Sequence, residues 1–258
     1  MNDSPHIARK RFGQNFLHER GIIDRILRAI DPQPGERIVE IGPGQGALTW
    51  PLLDRIKTLT AIEIDRDLIP RLQAEAPKHG ELQIVEADVL TVDFTALAAG
   101  GTIRLVGNLP YNISSPILFH ALDHAPVIRD MHFMLQKEVV ERMAASHGNK
   151  VYGRLSVMLQ AYCRVDPLFT VPPGAFTPAP KVDSAIVRLT PKSASEIPPH
   201  PRERLEVLVR HGFSQRRKTL RNALDGVATS AQMAAAGIDP GARAEAVAVG
   251  DWLRLAAT

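Results

Sequence analysis

The segment Asn108-Leu109-Pro110-Tyr111 places two hydrogen-bond acceptors, a rigid turn and a flat ring within four positions. A base amine is a poor nucleophile because its lone pair is delocalised into the ring. The Asn108 side-chain oxygen and the Leu109 carbonyl could accept its two N–H bonds and localise that lone pair. Pro110 fixes the backbone that aims the Leu109 carbonyl. Tyr111 offers a face on which a flipped-out base can stack. An Asx-type turn with a core tyrosine would account for the same residues. The chain has only three tyrosines, however, and this one lies in a proline turn past an expected strand. We read Asn108, Leu109, Pro110 and Tyr111 as catalytic, presenting an exocyclic amine of a nucleic-acid base to a methyl donor.

Three other places suggest what supplies the methyl group. Gly42-Pro43-Gly44-Gln45-Gly46-Ala47 follows a short β-branched run, and such a turn lets backbone N–H groups at Gly42 and Gly44 approach a ligand. Its G-x-G-x-x-A form is shared with dinucleotide sites. Glu63 stands 21 residues after Gly42, where a carboxylate can accept from ribose hydroxyls. Asp88 could accept from an adenine amine of the cofactor. These positions suit a nucleoside-containing cofactor without separating NAD from S-adenosylmethionine. The Asn108 loop separates them, because a dehydrogenase has no use for it. No metal-binding, P-loop or nucleophile-elbow pattern occurs, so no metal is expected.

Those residues need elements to hold them. Hydrophobic spacing predicts strands at residues 37–41, 58–64, 82–85, 103–106 and 131–135. Helices are predicted at 21–30, 47–53, 66–75, 114–122 and 137–145. This alternation indicates an α/β fold, a mostly parallel Rossmann-like sheet with helices on both faces. Each polar residue above falls just past a strand's C-terminal end, where open α/β sheets bind ligands. Residues 192–201 hold three prolines and two serines and read as a linker. The expected organisation is a cofactor-binding catalytic domain at 1–194 and a small helical domain at 195–258.

Composition narrows the setting. The 258 residues are 45% hydrophobic and 23% charged, as in an ordinary globular protein. No apolar run reaches the ~20 residues of a membrane span, and no secretory signal opens the chain. A single cysteine, Cys163, fits a reducing cytoplasm. Net charge is only +3, yet basic residues cluster at Arg9-Lys10-Arg11, at Lys181 with Arg188, and at Arg216-Arg217-Lys218 with Arg221. Three such clusters point to a phosphate backbone as partner. Arg216, Arg217, Lys218 and Arg221 are the expected RNA contacts.

Several stretches together resemble the ribosomal RNA adenine N6,N6-dimethyltransferases. They are Lys10 to Leu17 (KRFGQNFL), Glu40 to Thr49 (EIGPGQGALT), Asn108 to Tyr111, Phe176 to Ser184 (FTPAPKVDS) and Gln215 to Asn222 (QRRKTLRN). The resemblance implies a class I methyltransferase that dimethylates two adjacent adenosines near the 3′ end of small-subunit (16S) rRNA. It also implies a small-subunit precursor particle as partner, a role in subunit biogenesis and a monomer. By the same resemblance Asn15 and Leu17 contact the donor, together with Gly42, Glu63, Asp88 and Asn108. Phe176 would stack on the target base opposite Tyr111; an aromatic in a proline-rich loop is unexpected unless it is used or tucked into the core. Where the family often has an aspartate, this chain has Glu19. The related enzymes that dimethylate large-subunit rRNA are the alternative within the class, and Gln215–Asn222 and Ala47-Leu48-Thr49 favour the first. A non-catalytic assembly factor and an NAD-dependent oxidoreductase are the alternatives outside it.

Overall fold

The computed structural model describes residues 15–258. The basic Arg9-Lys10-Arg11 cluster lies outside them. The chain forms two compact units. One comprises the chain up to Lys137 together with Pro167–Leu189, the other Glu138–Asp166 together with Thr190–Thr258.

The first unit runs β1 (Phe16–Leu17), α1 (Arg20–Ile30), β2 (Ile38–Ile41), α2 (Thr49–Ile56), β3 (Thr58–Glu63), α3 (Ile69–Glu75), β4 (Glu81–Glu86), α4 (Phe94–Ala98), β5 (Ile103–Asn108), α5 (Ser114–Asp123) and β6 (Ile128–Gln136). After the excursion into the second unit come β7 (Cys163–Val171), β8 (Phe176–Thr177) and β9 (Ser184–Pro191). Seven strands form one sheet in the order β4-β3-β2-β5-β6-β9-β7, and β1 pairs with β8. The pairs β4–β3, β3–β2, β2–β5 and β5–β6 are parallel; β6–β9 is antiparallel.

Local chemistry explains these elements. Glu19 caps α1 by accepting from the N–H groups of Gly21 (3.0 Å) and Ile22 (2.6 Å), so it does an N-cap's work at the position where an aspartate is more usual. Asp31 ends that helix in a left-handed conformation, its N–H bonded to Leu27 O. On one sheet face Ile38, Leu59, Val106, Met134 and Ile186 form a single core with Ile26, Leu27 and Ile30 of α1 and Leu52, Leu53 and Ile56 of α2. The alternate residues Val39, Leu105, Phe133 and Val187 are buried as well, so both faces are covered. Near the N-terminal end of β5 the buried Arg104 donates to Asp130 (2.9 Å), Glu36 (2.6 Å) and Ile30 O (2.6 Å). It thereby ties β5 to β6 and α1.

The second unit holds all of α6 (Lys137–Ala144) but its first residue, together with α7 (Arg154–Tyr162), α8 (Arg202–Ser214), α9 (Leu220–Ala223), α10 (Ser230–Ala235) and α11 (Val249–Ala256). Helices α7, α8 and α11 pack together around Trp252, which is fully buried. The sequence reading started this unit at 195. In the structure it also includes Glu138–Asp166, because α7 buries five apolar residues and joins the C-terminal helices.

Candidate active site

The strand order reverses at β2. Strands β3 and β4 extend to one side of it, and β5 returns on the other. In open α/β sheets a crevice opens where the order reverses, beyond the strand C-termini. Here it is a cavity of about 290 Å³. Asn15, Leu17, Gly42, Gly44, Glu63, Asp88, Asn108, Leu109, Pro110 and Tyr111 all line it.

Each is placed by the end of a strand or by a turn. Gly42 and Gly44 follow β2 with φ of +66° and +58°, a conformation that side chains other than glycine's rarely adopt. Glu63 ends β3 and is 5% exposed. Its two oxygens accept from the N–H groups of Asp65 (2.8 Å) and Gly44 (3.4 Å), which orients the carboxylate. Burial pushes its pKa up. Asp88 lies past β4, exposed, with one oxygen capping a short turn at Leu90 N (3.0 Å).

The Asn108–Tyr111 loop is tethered along its length. Asn108 Nδ2 donates to Asn15 O at 2.9 Å. With the amide nitrogen so committed, Oδ1 is left as the acceptor on Asn108. The Leu109 side chain is buried and its N–H donates to Met134 O (3.1 Å). Pro110 O accepts from Ile113 N (3.2 Å), and Tyr111 O accepts from Ser114 Oγ (3.2 Å). The Tyr111 hydroxyl lies 2.7 Å from Ser184 Oγ.

Phe176 is not brought to this wall. It is 3% exposed, pairs with Leu17 across β8–β1, belongs to the core under α1, and is absent from the cavity lining. In this structure Phe176 is part of the apolar core. Arg216, Arg217 and Lys218 are exposed on the turn between α8 and α9, and Arg221 is exposed on α9. Arg216 is partly engaged there, donating to Tyr152 O (2.5 Å) and Lys150 O (3.4 Å). Lys181 and Arg188 are exposed in the first unit, at the β8–β9 connection and on β9. Among the described residues no cluster of three or more His, Cys, Asp or Glu could hold a metal ion. No helix among them is long and apolar enough to cross a membrane.

A buried carboxylate in the cavity wall and a glycine on β5 just before Asn108 went unassigned in the sequence reading. Glu40 lines the cavity at 2% exposure and accepts from Thr49 Oγ1 (2.6 Å). Burial pushes its pKa up to about 7, with a smaller contribution from the charge of Glu63. A carboxylate inside the apolar strand Ile-Val-Glu-Ile was the available signal. Gly107 is the other: a Cβ there would stand 2.5 Å from Ile41 O, so only glycine lets β5 approach β2 this closely.

A mostly parallel sheet whose order reverses between β2 and β5, with the cavity at that reversal, is the class I methyltransferase fold. Solved structures agree. A dimethyladenosine transferase from Plasmodium falciparum superposes with TM-score 0.81 and 28% identity, covering 93% of this chain and 95% of its own. The 23S rRNA methyltransferase ErmE gives 0.72 and 30%, with 93% and 98% covered. The ribosomal RNA adenine dimethylase model matches residues 6–258, and the chain belongs to that family. A ribosomal RNA small subunit methyltransferase A from Xanthomonas campestris pv. campestris (strain B100) is 64% identical over 249 residues, 96% of this chain and 95% of the relative. The chain is an S-adenosylmethionine-dependent adenine dimethyltransferase acting on rRNA.

Proposed function

We propose that this enzyme dimethylates N6 of two adjacent adenosines near the 3′ end of 16S rRNA, within a small-subunit precursor particle. The observation that carries the chemistry is the Asn108 Nδ2 bond to Asn15 O, because it fixes which end of the amide faces an incoming amine. Asn108 Oδ1 and the Leu109 carbonyl accept hydrogen bonds from the N6 amine, from both N–H groups in the first transfer and from the one that remains in the second, which draws the lone pair out of the adenine ring. Each transfer replaces one N6 proton, which is released. Tyr111 stacks on the base, while Pro110 keeps the Leu109 carbonyl in place.

S-adenosylmethionine supplies a methyl group already activated on a positive sulfur, so positioning accounts for much of the rate. The cavity residues fit it. Glu63, buried and fixed by two backbone N–H groups, accepts from the ribose hydroxyls, and Asp88 accepts from the purine amine. The turn at Gly42 and Gly44 approaches the donor closely, and Asn15 and Leu17 line the same cavity. Arg217, Lys218 and Arg221 bind RNA phosphates.

The choice of the small subunit is supported by the 64% identity to a relative named for it, against 30% to one named for 23S rRNA. The test is transfer of labelled methyl groups to 30S particles lacking the modification, followed by nucleoside analysis and primer extension. The expected products are N6,N6-dimethyladenosine and two adjacent stops in 16S rRNA. Stops in 23S rRNA would reassign the substrate.

A further inference from the structure

Tyr111 is held by its far end. Its hydroxyl lies 2.7 Å from Ser184 Oγ, and Ser184 has no exposed surface. Ser184 opens β9, where it pairs with Gln136 of β6, and the neighbouring Asp183 O accepts from Lys137 N (2.9 Å). Its hydroxyl therefore belongs to the sheet and not to the loop. A tyrosine's second torsion is broad. A bond at the para position acts at the longest lever arm, so it restricts both side-chain torsions at once. The hydroxyl is also occupied within the protein, which leaves the ring face for a ligand.

We propose that Ser184 is a positioning residue, fixing the plane of the Tyr111 ring on the cavity wall so that the target base stacks in one orientation. This rests on the reading of Tyr111 as the stacking residue. The remainder of the Phe176–Ser184 segment supplies no cavity-lining residue. Ser184 accounts for how its last residue reaches the site, by touching a residue that does line it.

The test compares full-length wild type with Ser184→Ala, Tyr111→Phe, the double variant and Ser184→Thr in methyl transfer to 30S particles. Removing either hydroxyl should lower kcat/KM about five- to tenfold, the effect of one hydrogen bond. Both hydroxyls serve one bond, so the double variant should be no worse than either single one. Ser184→Thr keeps the hydroxyl and should recover most of the loss. S-adenosylmethionine affinity by calorimetry should stay unchanged, which a general unfolding of the site would not allow. Fluorotyrosine labelling gives a readout independent of activity. Of the three tyrosine signals, the one missing in Tyr111→Phe should move and sharpen in Ser184→Ala. Multiplicative losses in the double variant, or an unmoved signal in Ser184→Ala, would overturn the proposal. A wild type inactive on 30S particles whose Tyr111 signal still responds to Ser184→Ala would remove the substrate reading and leave the tether standing.

Discussion

Asn108 spends its amide nitrogen on Asn15 O, so the value of the residue lies in its oxygen. Asn108→Ala should cut kcat by about 100-fold or more, because it removes an acceptor aimed at the reacting amine, while S-adenosylmethionine affinity falls much less. Transfer at the wild-type rate would refute the mechanism. Glu40 makes a different, pH-dependent prediction. Its carboxyl titrates near 7 in the fold against an ordinary 4.5, so the native state holds the proton more tightly than the unfolded chain. That stabilisation is full below 4.5 and is lost as pH rises through about 7. The two values correspond to about 3 kcal/mol. Urea titrations of wild type and Glu40→Gln at about pH 5 and about pH 8 isolate it. The wild type should lose more stability than the variant on going to the higher pH. Equal losses would mean that Glu40 is already ionised in the fold at the lower pH.

At the scale of elements, the join between β2 and β5 brings the glycine turn at Gly42 beside the loop at Asn108. Gly107→Ala would put a methyl group 2.5 Å from Ile41 O, a backbone atom that cannot swing aside. The strand ends must part, and the amine clamp moves relative to the turn. We expect a loss of about 1–3 kcal/mol in urea unfolding, with a larger proportional loss of methyl transfer. Full activity would show that the strands absorb the group. The parallel half of this sheet was legible because each strand runs straight into its punctuation: Gly42 after β2, Glu63 ending β3, Asn108 ending β5. The other end was not. β7 contains Arg164, Asp166 and Pro167, β9 is interrupted by Arg188, and neither shows clean alternation. Ser184 was quoted in a motif but had no visible role, because its partner Tyr111 stands 73 positions away. Where Phe176 sits was not legible from its proline-rich surroundings. Its pairing opposite Leu17 and its place in the core depend on β1 and β8, two-residue strands too short to register as a pattern.

For the whole molecule, the cavity belongs to one unit and the α8–α9 basic turn to the other. Binding of RNA charge can therefore be altered without touching the cavity residues. The four basic residues of that turn and of α9 are not equivalent, although the sequence presents them as one cluster. Arg216 donates to the carbonyls of Tyr152 and Lys150, and the Tyr152 hydroxyl in turn donates to Val247 O (2.9 Å). Arg216 thus pins the segment before α7, and its guanidinium is partly committed before any RNA arrives. Arg217→Ala, Lys218→Ala and Arg221→Ala should each reduce the salt dependence of rRNA binding by about one unit of log–log slope. Their thermal midpoints should stay near wild type, since substitutions of exposed charges cost little. Arg216→Ala should lower the thermal midpoint, because the Tyr152 carbonyl loses its donor, and should change the salt slope by less than the others. A filter-binding series over salt, paired with calorimetric melting of the same four variants, separates the two roles. Four identical slope changes with no change in melting would place Arg216 among the phosphate ligands and deny it a structural part.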